Sequence, residues 1–420
     1  MGYTLAEKVL ARAAGRPFVK AGDDIQAKPD FVVIYDFPGY SDVIFRQVKE
    51  EFGIDRIPEP ERYGVFIDHF VPSGNPKDEA LHIQTRAWCA EQGVDLYERR
   101  GIGHQVAAEV GYAVPGGFVV HFDGHISQLG AFGTLAIGLR RNILEAFVRE
   151  TVSIRVPATT RINLNGRLPP GVMARDVFHH IIAKLGPSAC RFNVMEIAGS
   201  ALADISIEGR QTICGLAMFT GAITAVVNPD PQTLAYAAER ARITIDPVFG
   251  DEDAEYAAVH DIDVSDLEPV IVLPPNPANT RNLSDYAGLE IQVGYLGSCA
   301  SGRLEDIRAA ARILKGRRVK PGFSLHVVPT SQEIMAKAAA EGLISTLVEA
   351  GAFTSSPTCD FCAGRLGAMS PGQRAVSTGT LNVPGRMGSK DAEIYLCSAA
   401  SVAAAAIEGC IADPRKYLTD

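Results

Sequence analysis

The sequence predicts an α/β protein of several domains. Its 420 residues exceed what one hydrophobic core usually holds, which favours two or three domains. Short apolar runs alternate with stretches of helical periodicity, and 47% hydrophobic residues are enough to bury a large core. Strand, helix and strand in succession are typical of a doubly wound parallel sheet. We place the domains at residues 1–156, 157–284 and 285–420.

Three apolar runs in the first domain predict buried strands. Each run is short, is rich in β-branched or aromatic residues, and leads within two positions into an aspartate. Helical periodicity fills the segments around them, and Thr4 is suited to cap the first helix. The predicted strands are residues 31–35, 65–67 and 117–121, and the predicted helices are residues 1–15, 77–92 and 105–110.

The second and third domains repeat the alternation of strands and helices. Residues 246–285 are rich in proline and acidic residues, and they predict a long connection between the two domains. The predicted strands are residues 160–164, 204–207, 291–296 and 325–328; the predicted helices are residues 174–185, 233–242, 304–314, 332–341, 343–350 and the alanine-rich segment 398–407.

Charge and hydropathy argue against two classes of partner. Acidic residues outnumber basic ones by 49 to 40, whereas nucleic-acid-binding proteins usually carry a basic excess. No run approaches the roughly 18 apolar residues that a membrane span requires. Residues 1–20 lack the apolar region of a secretion signal, so we expect a cytoplasmic protein.

The spacing of the cysteines indicates a metal or redox site. Cys359 and Cys362 form a C-x-x-C pair, and Cys299 stands at a predicted turn from strand to helix. The pair alone fits half of a zinc site, a redox pair, half of an iron–sulfur site or simple packing. A structural zinc usually needs a second pair, which the sequence lacks. Three thiolates suit a 4Fe-4S cluster whose fourth iron stays open to act as a Lewis acid.

Carboxylates beside histidines indicate acid/base chemistry. A carboxylate fixes the tautomer of a neighbouring imidazole and raises its basicity. Each group taken singly also fits a capped loop with a satisfied histidine. Several of them in one chain, near predicted strand ends, favour the catalytic interpretation. The candidates are Asp68, His69, His104, Asp123 and His125.

Several motifs resemble the aconitase and isopropylmalate dehydratase family. Residues 297–306, GSCASGRLED, are similar to the family segment G-S-C-T-N-S-x-x-E-D, and residues 359–364 resemble its C-x-x-C-x-G loop. The order and spacing of the motifs are kept over nearly the whole chain. The further matches are residues 67–69, 101–105, 123–125 with 130–133, 385–388 and 397–409.

The resemblance implies a fold, a cofactor and a site. The implied fold has three aconitase-type α/β domains around a central cluster cleft, with Cys299, Cys359 and Cys362 as ligands of a 4Fe-4S cluster. It also implies that the five Asp and His candidates orient the substrate and move protons. Arg386 is expected to clamp a substrate carboxylate, a task suited to the planar guanidinium, and Ser298 to contact the substrate.

The chain departs from the family at positions of the expected pocket. Gly215 replaces an asparagine and Phe219 a glutamate expected to pair a catalytic histidine, while Thr380 and Leu381 replace an asparagine and an arginine. A buried substrate carboxylate without its arginine would cost several kcal/mol. We therefore expect a 2-hydroxy carboxylic acid that is less charged than citrate.

The resemblance implies the large subunit of an iron–sulfur hydro-lyase that dehydrates, hydrates or isomerises its substrate. The sequence ends at Asp420 without the mobile swivel domain of single-chain members, so we expect a separate small subunit to complete the site. The alternative is a non-catalytic iron–sulfur scaffold or sensor with a decayed pocket. The acidic balance argues against an RNA-binding regulator of this fold.

Overall fold

The chain folds into three α/β units, each built on its own sheet, and the predicted α/β class is confirmed. The computed structural model describes residues 2–244 and 246–418. No helix within those two ranges is both long and apolar enough to cross a membrane.

The first unit is a doubly wound parallel sheet. Its strands are β1 (Asp24–Ala27), β2 (Phe31–Tyr35), β3 (Tyr63–Ile67), β4 (Asp95–Glu98), β5 (Phe118–His121), β6 (Leu135–Gly138) and β7 (Val152–Arg155). Its helices are α1 (Leu5–Ala13), α2 (Ser41–Arg46), α3 (Pro76–Gln92), α4 (Gly103–Glu109) and α5 (Leu144–Arg149). Strands β2 to β6 form the sheet in the order β4-β3-β2-β5-β6, and β1 pairs antiparallel with β7. The chain runs outward from β2 in both directions, so the switch point at which α/β proteins bind ligands lies at the end of β2.

The N-terminal helix forms as its sequence predicts. Thr4 accepts a hydrogen bond from the Glu7 amide, and the Glu7 side chain accepts one from the Thr4 amide. This reciprocal cap satisfies two amide groups that the first turn cannot pair.

The second unit is a smaller parallel sheet. It comprises β8 (Thr159–Asn165), β9 (Val194–Ala198), β10 (Thr224–Val227) and β11 (Ala258–Asp263) in the order β10-β9-β8-β11, with helices α6 (Ala174–Leu185), α7 (Ile207–Leu216) and α8 (Pro231–Ala238). The strand predicted at residues 204–207 is wrong. Ser206 instead caps α7, because its hydroxyl accepts the Gly209 amide at 2.9 Å.

The third unit carries the largest sheet. Its strands are β12 (Val270–Val272), β13 (Thr280–Asn282), β14 (Val293–Leu296), β15 (Ser324–Val327), β16 (Phe353–Thr354), β17 (Arg374–Ser377) and β18 (Glu393–Leu396), in the order β13-β12-β18-β17-β14-β15-β16. Its helices are α9 (Leu304–Leu314), α10 (Gln332–Ala340), α11 (Leu343–Ala350) and α12 (Ala399–Glu408). Strands β14 to β18 are parallel, and β12 and β13 extend the sheet antiparallel.

The segment expected to be a long connection is partly strand. Residues 246–285 contain β11, β12 and β13, which pair with β8 and β18. Two of these strands join the third sheet although they precede residue 285. The division at residues 156 and 284 remains a prediction, and a division drawn by sheets would start the third unit earlier.

The first two units share one continuous hydrophobic core, whereas the third has its own. The 3₁₀ helix Gly124–Phe132 of the first unit packs on β10 of the second. A Cβ on Gly130 would lie 1.9 Å from the Ala225 carbonyl oxygen, so this approach requires glycine. The short helix that follows Asp123 is therefore fixed between the two units.

Candidate active site

Parallel strands of the first unit bring the predicted acid/base residues to one edge of the sheet. The carboxyl ends of parallel strands lie side by side, and polar residues there form sites. Asp68 and His69 follow β3, His104 is the second residue of α4, and Asp123 and His125 follow β5. Hydrogen bonds and ring contacts bring all five residues into one cluster.

Asp68 and His69 form a buried, closely hydrogen-bonded pair. The Asp68 Oδ1 lies 2.6 Å from the His69 Nδ1, and its Oδ2 accepts the Gly103 amide at 2.7 Å. Burial lowers the pKa of His69, but the charge and hydrogen bond of Asp68 outweigh it and leave that pKa raised. His69 is thereby suited to hold a proton that it can donate.

Asp123 is shared by two histidines. Its Oδ1 accepts the His125 amide at 2.6 Å, lies 3.0 Å from the His125 Nδ1, and lies 3.7 Å from the His104 Nε2. Burial raises the pKa of Asp123. His125, and to a smaller extent His104, lower it by more than burial raises it, so the pKa falls well below its ordinary value. Burial lowers the pKa of His104 to about 4, which leaves this imidazole neutral at pH 7. The Nε2 atoms of His104 and His125 are buried and have no hydrogen-bond partner among the described residues.

Two residues that the sequence analysis missed connect these groups. The Tyr35 hydroxyl donates to the Asp123 Oδ2 at 2.9 Å, and the centre of its ring lies 5.0 Å from that of His69 and 5.5 Å from that of His104. The His121 Nδ1 accepts the Asp123 amide at 2.7 Å, which places the proton of a neutral ring on its Nε2. Both residues end strands of the sheet, the one signal that could have identified them.

The three predicted cluster cysteines lie in one region of the third unit. Cys299 follows β14 in the turn before α9. Cys359 immediately precedes the 3₁₀ helix Asp360–Ala363, and Cys362 is the third residue of that helix. All three are free thiols. Burial raises the pKa of Cys359, and the neighbouring Cys362, Asp68 and Cys299 raise it further. The thiols are thus close enough to one another, and to the Asp68 carboxylate, to interact electrostatically.

The three thiols are suitable ligands for a cluster. Within residues 2–244 and 246–418, no three His, Cys, Asp or Glu side chains converge as the ligands of one ion. A 4Fe-4S cluster binds each thiolate at a different iron, which keeps the sulfur atoms apart. The Tyr295 hydroxyl, buried beside these thiols, has no partner in the described part of the chain. An orphaned donor next to three sulfur atoms is consistent with a group that belongs between them.

The cysteine loop is fastened to the acid/base loop of the first unit. The Cys359 amide donates to the Asp68 carbonyl at 3.1 Å. The Asp360 carboxylate accepts the amides of Phe70 at 3.0 Å and Val71 at 3.1 Å. These three hydrogen bonds hold the cysteine loop and the Asp68-His69 pair in fixed relation across the interface between units.

Arg386 lies at the cysteines, and Ser298 is hydrogen-bonded within the fold. The Arg386 Nη2 lies 3.1 Å from the Cys362 Sγ, and the thiols raise the pKa of this guanidinium. The fully buried Ser298 hydroxyl donates to the Thr378 carbonyl and accepts the Ala300 amide, both at 3.1 Å. These two hydrogen bonds join the Cys299 turn to the residue that follows β17, and the substrate contact expected of Ser298 stays a prediction.

Arg303 is the buried centre at which all three units meet. Its guanidinium donates to the Cys299 carbonyl at 2.8 Å in the third unit and to the Thr212 hydroxyl at 3.0 Å in the second. In the first unit it donates to the side-chain oxygens of Gln105 at 3.0 Å and Gln128 at 2.5 Å. The side chain has no exposed surface. Sequence reasoning missed this residue, since its three partners in the other two units are 91 to 198 positions away.

One of the substituted positions lies beside the acid/base cluster. The ring centre of Phe219 is 6.3 Å from that of His125, so an apolar ring stands where the resemblance leads us to expect a carboxylate. Thr380 is buried, whereas Leu381 is half-buried. Gly215 packs on Gln128, whose Cβ lies 3.3 Å from the position of an added methyl group.

Comparison with known proteins covers the whole chain. Residues 65–289 and 279–409 match the sequence model of the aconitase family (aconitate hydratase). The chain is 38% identical over 422 residues to the 3-isopropylmalate dehydratase large subunit 1 of Methanopyrus kandleri, covering 100% of both chains. It is 38% identical to the probable 3-isopropylmalate dehydratase large subunit of Methanothermobacter thermautotrophicus, with 99% of each chain covered.

A third relative and one solved structure complete the comparison. The 3-isopropylmalate dehydratase large subunit 1 of Pyrococcus abyssi is 36% identical, with 100% of each chain covered. The crystal structure of Thermococcus kodakaraensis aconitase X aligns with a TM-score of 0.47 at 12% identity, over 90% of this chain and 89% of that one. The full-length family match fits the three α/β units and the cysteine arrangement. The chain therefore belongs to the aconitase family of hydro-lyases, whose cofactor is a 4Fe-4S cluster.

Proposed function

We propose that this chain is the large subunit of an iron–sulfur hydro-lyase that adds water to, or removes it from, a 2-hydroxy carboxylic acid less charged than citrate. Cys299, Cys359 and Cys362 hold the cluster in this proposal. The observation that carries it is the hydrogen bond from the Cys359 amide to the Asp68 carbonyl, which joins the cysteine loop to the acid/base cluster. When bound, a cluster with one iron free of protein ligands supplies a Lewis acid for a substrate hydroxyl and carboxylate.

The environment of each side chain determines its part in proton transfer and substrate binding. His69, whose pKa is raised by Asp68, donates a proton to the departing hydroxyl. His104, which is neutral at pH 7, and His125 lie beside the ionised Asp123 and orient the substrate; the Nε2 atoms of both have no hydrogen-bond partner among the described residues. Arg386 binds a substrate carboxylate beside the cysteines. The proton that is lost from the carbon next to the hydroxyl-bearing carbon requires a further base, and we assign that base to no group of this chain.

The missing base leads us to propose a partner. A separate small subunit with a swivelling domain would bring the base and further substrate contacts to the open side of the cluster. The relatives named above carry the words large subunit in their names, which supports this proposal. The isolated chain should then bind substrate without converting it.

The substitutions near the acid/base cluster support a substrate of reduced charge. Phe219 lies beside His125, and Leu381 offers no hydrogen bond to a carboxylate. A third carboxylate, such as that of citrate, would be desolvated here without a partner, at a cost of several kcal/mol. A 2-hydroxy acid with an apolar substituent meets these residues at lower cost.

The test is anaerobic reconstitution with iron and sulfide, with and without a co-expressed small subunit. We expect a broad visible iron–sulfur absorption band, and ultraviolet absorbance of the unsaturated product when 2-hydroxy acids are supplied. Cys359→Ala should remove the band, whereas Cys89→Ala, at a buried cysteine of α3, should keep it. Tight zinc binding in place of the cluster would refute the proposal.

A second candidate is a non-catalytic iron–sulfur scaffold or sensor. The observation that favours it is the apolar ring of Phe219, which lies 6.3 Å from the His125 ring between ring centres, where the resemblance leads us to expect a carboxylate. A stable cluster band in the complete heteromer, with no turnover of citrate, isopropylmalate or smaller 2-hydroxy acids, would favour this candidate over the hydro-lyase.

A further inference from the structure

The Tyr295 hydroxyl is a buried donor that the proposed function does not use. Tyr295 is the third residue of β14, a few positions before Cys299, and its side chain has no exposed surface. Its hydroxyl has no hydrogen-bond partner within residues 2–244 and 246–418. The hydroxyl of a buried tyrosine usually has a partner, because an unsatisfied donor is unfavourable in the interior. This donor therefore indicates an acceptor that a bound group supplies.

The hydroxyl reaches the turn that carries Cys299. A Cβ on Gly297 would lie 2.7 Å from the Tyr295 hydroxyl oxygen, so the phenol lies directly over the Gly297 backbone. This close approach requires glycine, since a larger residue would displace the ring. The turn is itself fixed, because the Gly297 amide donates to the Thr378 hydroxyl at 2.8 Å. The hydroxyl is thus held beside the backbone two residues before the first predicted cluster ligand.

The ring of Tyr295 also packs on the loop that carries the other two cysteines. It is nearly parallel to the ring of Phe361, at an angle of 11° and with 6.2 Å between ring centres. Phe361 immediately precedes Cys362, and the three residues belong to one buried cluster of the third unit. The chain after β17 approaches the same sulfur, since a Cβ on Gly379 would lie 4.0 Å from the Cys362 Sγ. Tyr295 therefore touches both cysteine-bearing segments.

The surroundings of the hydroxyl keep it protonated. Burial raises the pKa of Tyr295 well above its ordinary value, and Cys362, Cys359 and Cys299 raise it further, Cys362 the most. A phenol that keeps its proton is a hydrogen-bond donor at every pH at which the protein is folded. Negatively charged sulfur is a stronger acceptor than neutral sulfur, because a charged partner strengthens a hydrogen bond.

We propose that the Tyr295 hydroxyl donates a hydrogen bond to a sulfur atom at the Cys362 corner of the bound 4Fe-4S cluster and thereby raises the reduction potential of the cluster. The inference rests on the proposed function, in which Cys299, Cys359 and Cys362 hold the cluster. Reduction adds negative charge to the sulfur atoms, and hydrogen bonds to these atoms favour the reduced state. The same hydrogen bond makes the cluster harder to oxidise, which suits a cluster that serves as a Lewis acid instead of an electron carrier.

The experiment is a potentiometric titration of the reconstituted chain. Anaerobically reconstituted protein is titrated with dithionite in the presence of redox mediators, and the reduced cluster is followed by electron paramagnetic resonance. Tyr295→Phe removes only the hydroxyl. The matched control is Tyr112→Phe, because Tyr112 is equally buried in the first unit and its hydroxyl donates to the Tyr63 carbonyl at 3.2 Å.

We expect Tyr295→Phe to lower the ratio of reduced to oxidised cluster about 10-fold at a fixed electrode potential, which corresponds to a reduction potential lower by about 59 mV for one electron. Tyr112→Phe should leave this ratio unchanged. Incorporation of 3-fluorotyrosine at position 295, a stronger donor of nearly the same size, should raise the potential above that of the wild-type protein.

The melting temperature of the cluster-free chain should show the opposite pattern. Tyr295→Phe removes a donor without a partner and should not lower the melting temperature, whereas Tyr112→Phe breaks a hydrogen bond and should lower it. If Tyr295 had only a structural role, its replacement would lower the melting temperature and leave the potential unchanged.

Two results would overturn the inference separately from the proposed function. If the wild-type protein, Tyr295→Phe and Tyr112→Phe all form the cluster and have the same potential, only the role of Tyr295 fails. An equal drop in potential in both variants has the same meaning, since it indicates a general disturbance of the protein. If the wild-type chain forms no cluster, or if Cys359→Ala forms it as well as the wild-type chain does, the proposed function fails, and the inference fails with it.

Discussion

Replacing Arg303 by methionine should destabilise the whole chain, because this arginine joins all three units. Methionine keeps much of the volume but removes the hydrogen bonds to four buried acceptors, of which the Gln105 oxygen keeps the Gln211 side-chain amide at 3.3 Å. Hydrogen bonds from a charged group contribute about 1.5–3 kcal/mol each, which sets an upper limit of roughly 6–12 kcal/mol. Partial relaxation reduces this loss, and we expect at least about 4 kcal/mol.

The expected loss translates into a measurable shift in melting temperature. The entropy of unfolding is about 2.1 cal/mol/K per residue, so a chain of 420 residues loses roughly 1 °C for each kcal/mol. Arg303→Met should therefore lower the calorimetric melting temperature of the cluster-free chain by about 4 °C or more. The cluster, once reconstituted, should also be lost faster, because Arg303 holds the Cys299 carbonyl.

The matched control lies on the same helix. Arg308 is half-exposed and forms an ion pair with Glu341 at 2.5 Å, and exposed pairs of this kind contribute at most about 1 kcal/mol. Arg308→Met should shift the melting temperature by less than about 1 °C. If Arg303→Met shifts it no more than Arg308→Met does, the buried hydrogen bonds at the junction do not hold the units together, and the reasoning is refuted.

Three further predictions concern the site and its surroundings. Tyr35→Phe removes the hydroxyl that donates to Asp123, so it should lower kcat about 10- to 100-fold. Without this donor the pKa of Asp123 rises, so the acidic limb of the pH–rate profile should move to higher pH. An unchanged profile would contradict this. Asp360→Ala should accelerate loss of the iron–sulfur absorption band, because two amides of the acid/base loop lose their acceptor; equal stability of the band would argue against the tether. Burial raises the pKa of Glu109 from 4.5 to about 7, so the stability that it contributes below pH 4.5 is lost as the pH rises through 7. The free energy of unfolding, measured by denaturant titration, should decline between pH 4.5 and 7 by up to about 3 kcal/mol less in Glu109→Gln than in the wild-type protein. An identical pH dependence in both proteins would refute this prediction.

Local sequence patterns predicted most elements where local chemistry decides the structure. The helix bounds 174–185 and 304–314 and the strand bounds 31–35 agree with α6, α9 and β2. The two helices have a clear apolar period, the strand is a continuous apolar run, and each is bounded by residues that start or stop it. The error at residues 204–207 arose because alternation of apolar and polar residues resembles a strand, whereas the Ser206 cap decides in favour of a helix.

Long-range pairing explains what the sequence could not predict. The six residues of β11 pair along their full length with β8, almost a hundred positions earlier, and nothing in their acidic local sequence indicates this. Tyr35 and Arg303 were missed for the same reason. Their roles depend on partners that are distant in the sequence and that only the fold brings close. The acid/base candidates could be found because strand ends in parallel sheets gather on one edge.

The distribution of substitutions bears on the choice between an enzyme and a decayed scaffold. Asp68 and His104 are buried, and the buried Nε2 atoms of His104 and His125 have no partners in the described residues. Such groups each cost about 1–3 kcal/mol, so a chain without need of them would gain stability from apolar replacements. One replacement that does occur, Phe219, lies beside His125, where the proposed substrate would be recognised. An enzyme that has changed its substrate is expected to keep its acid/base residues, although their burial is unfavourable, and to change the residues that recognise the substrate. Desolvated polar groups are common in active sites because they act there.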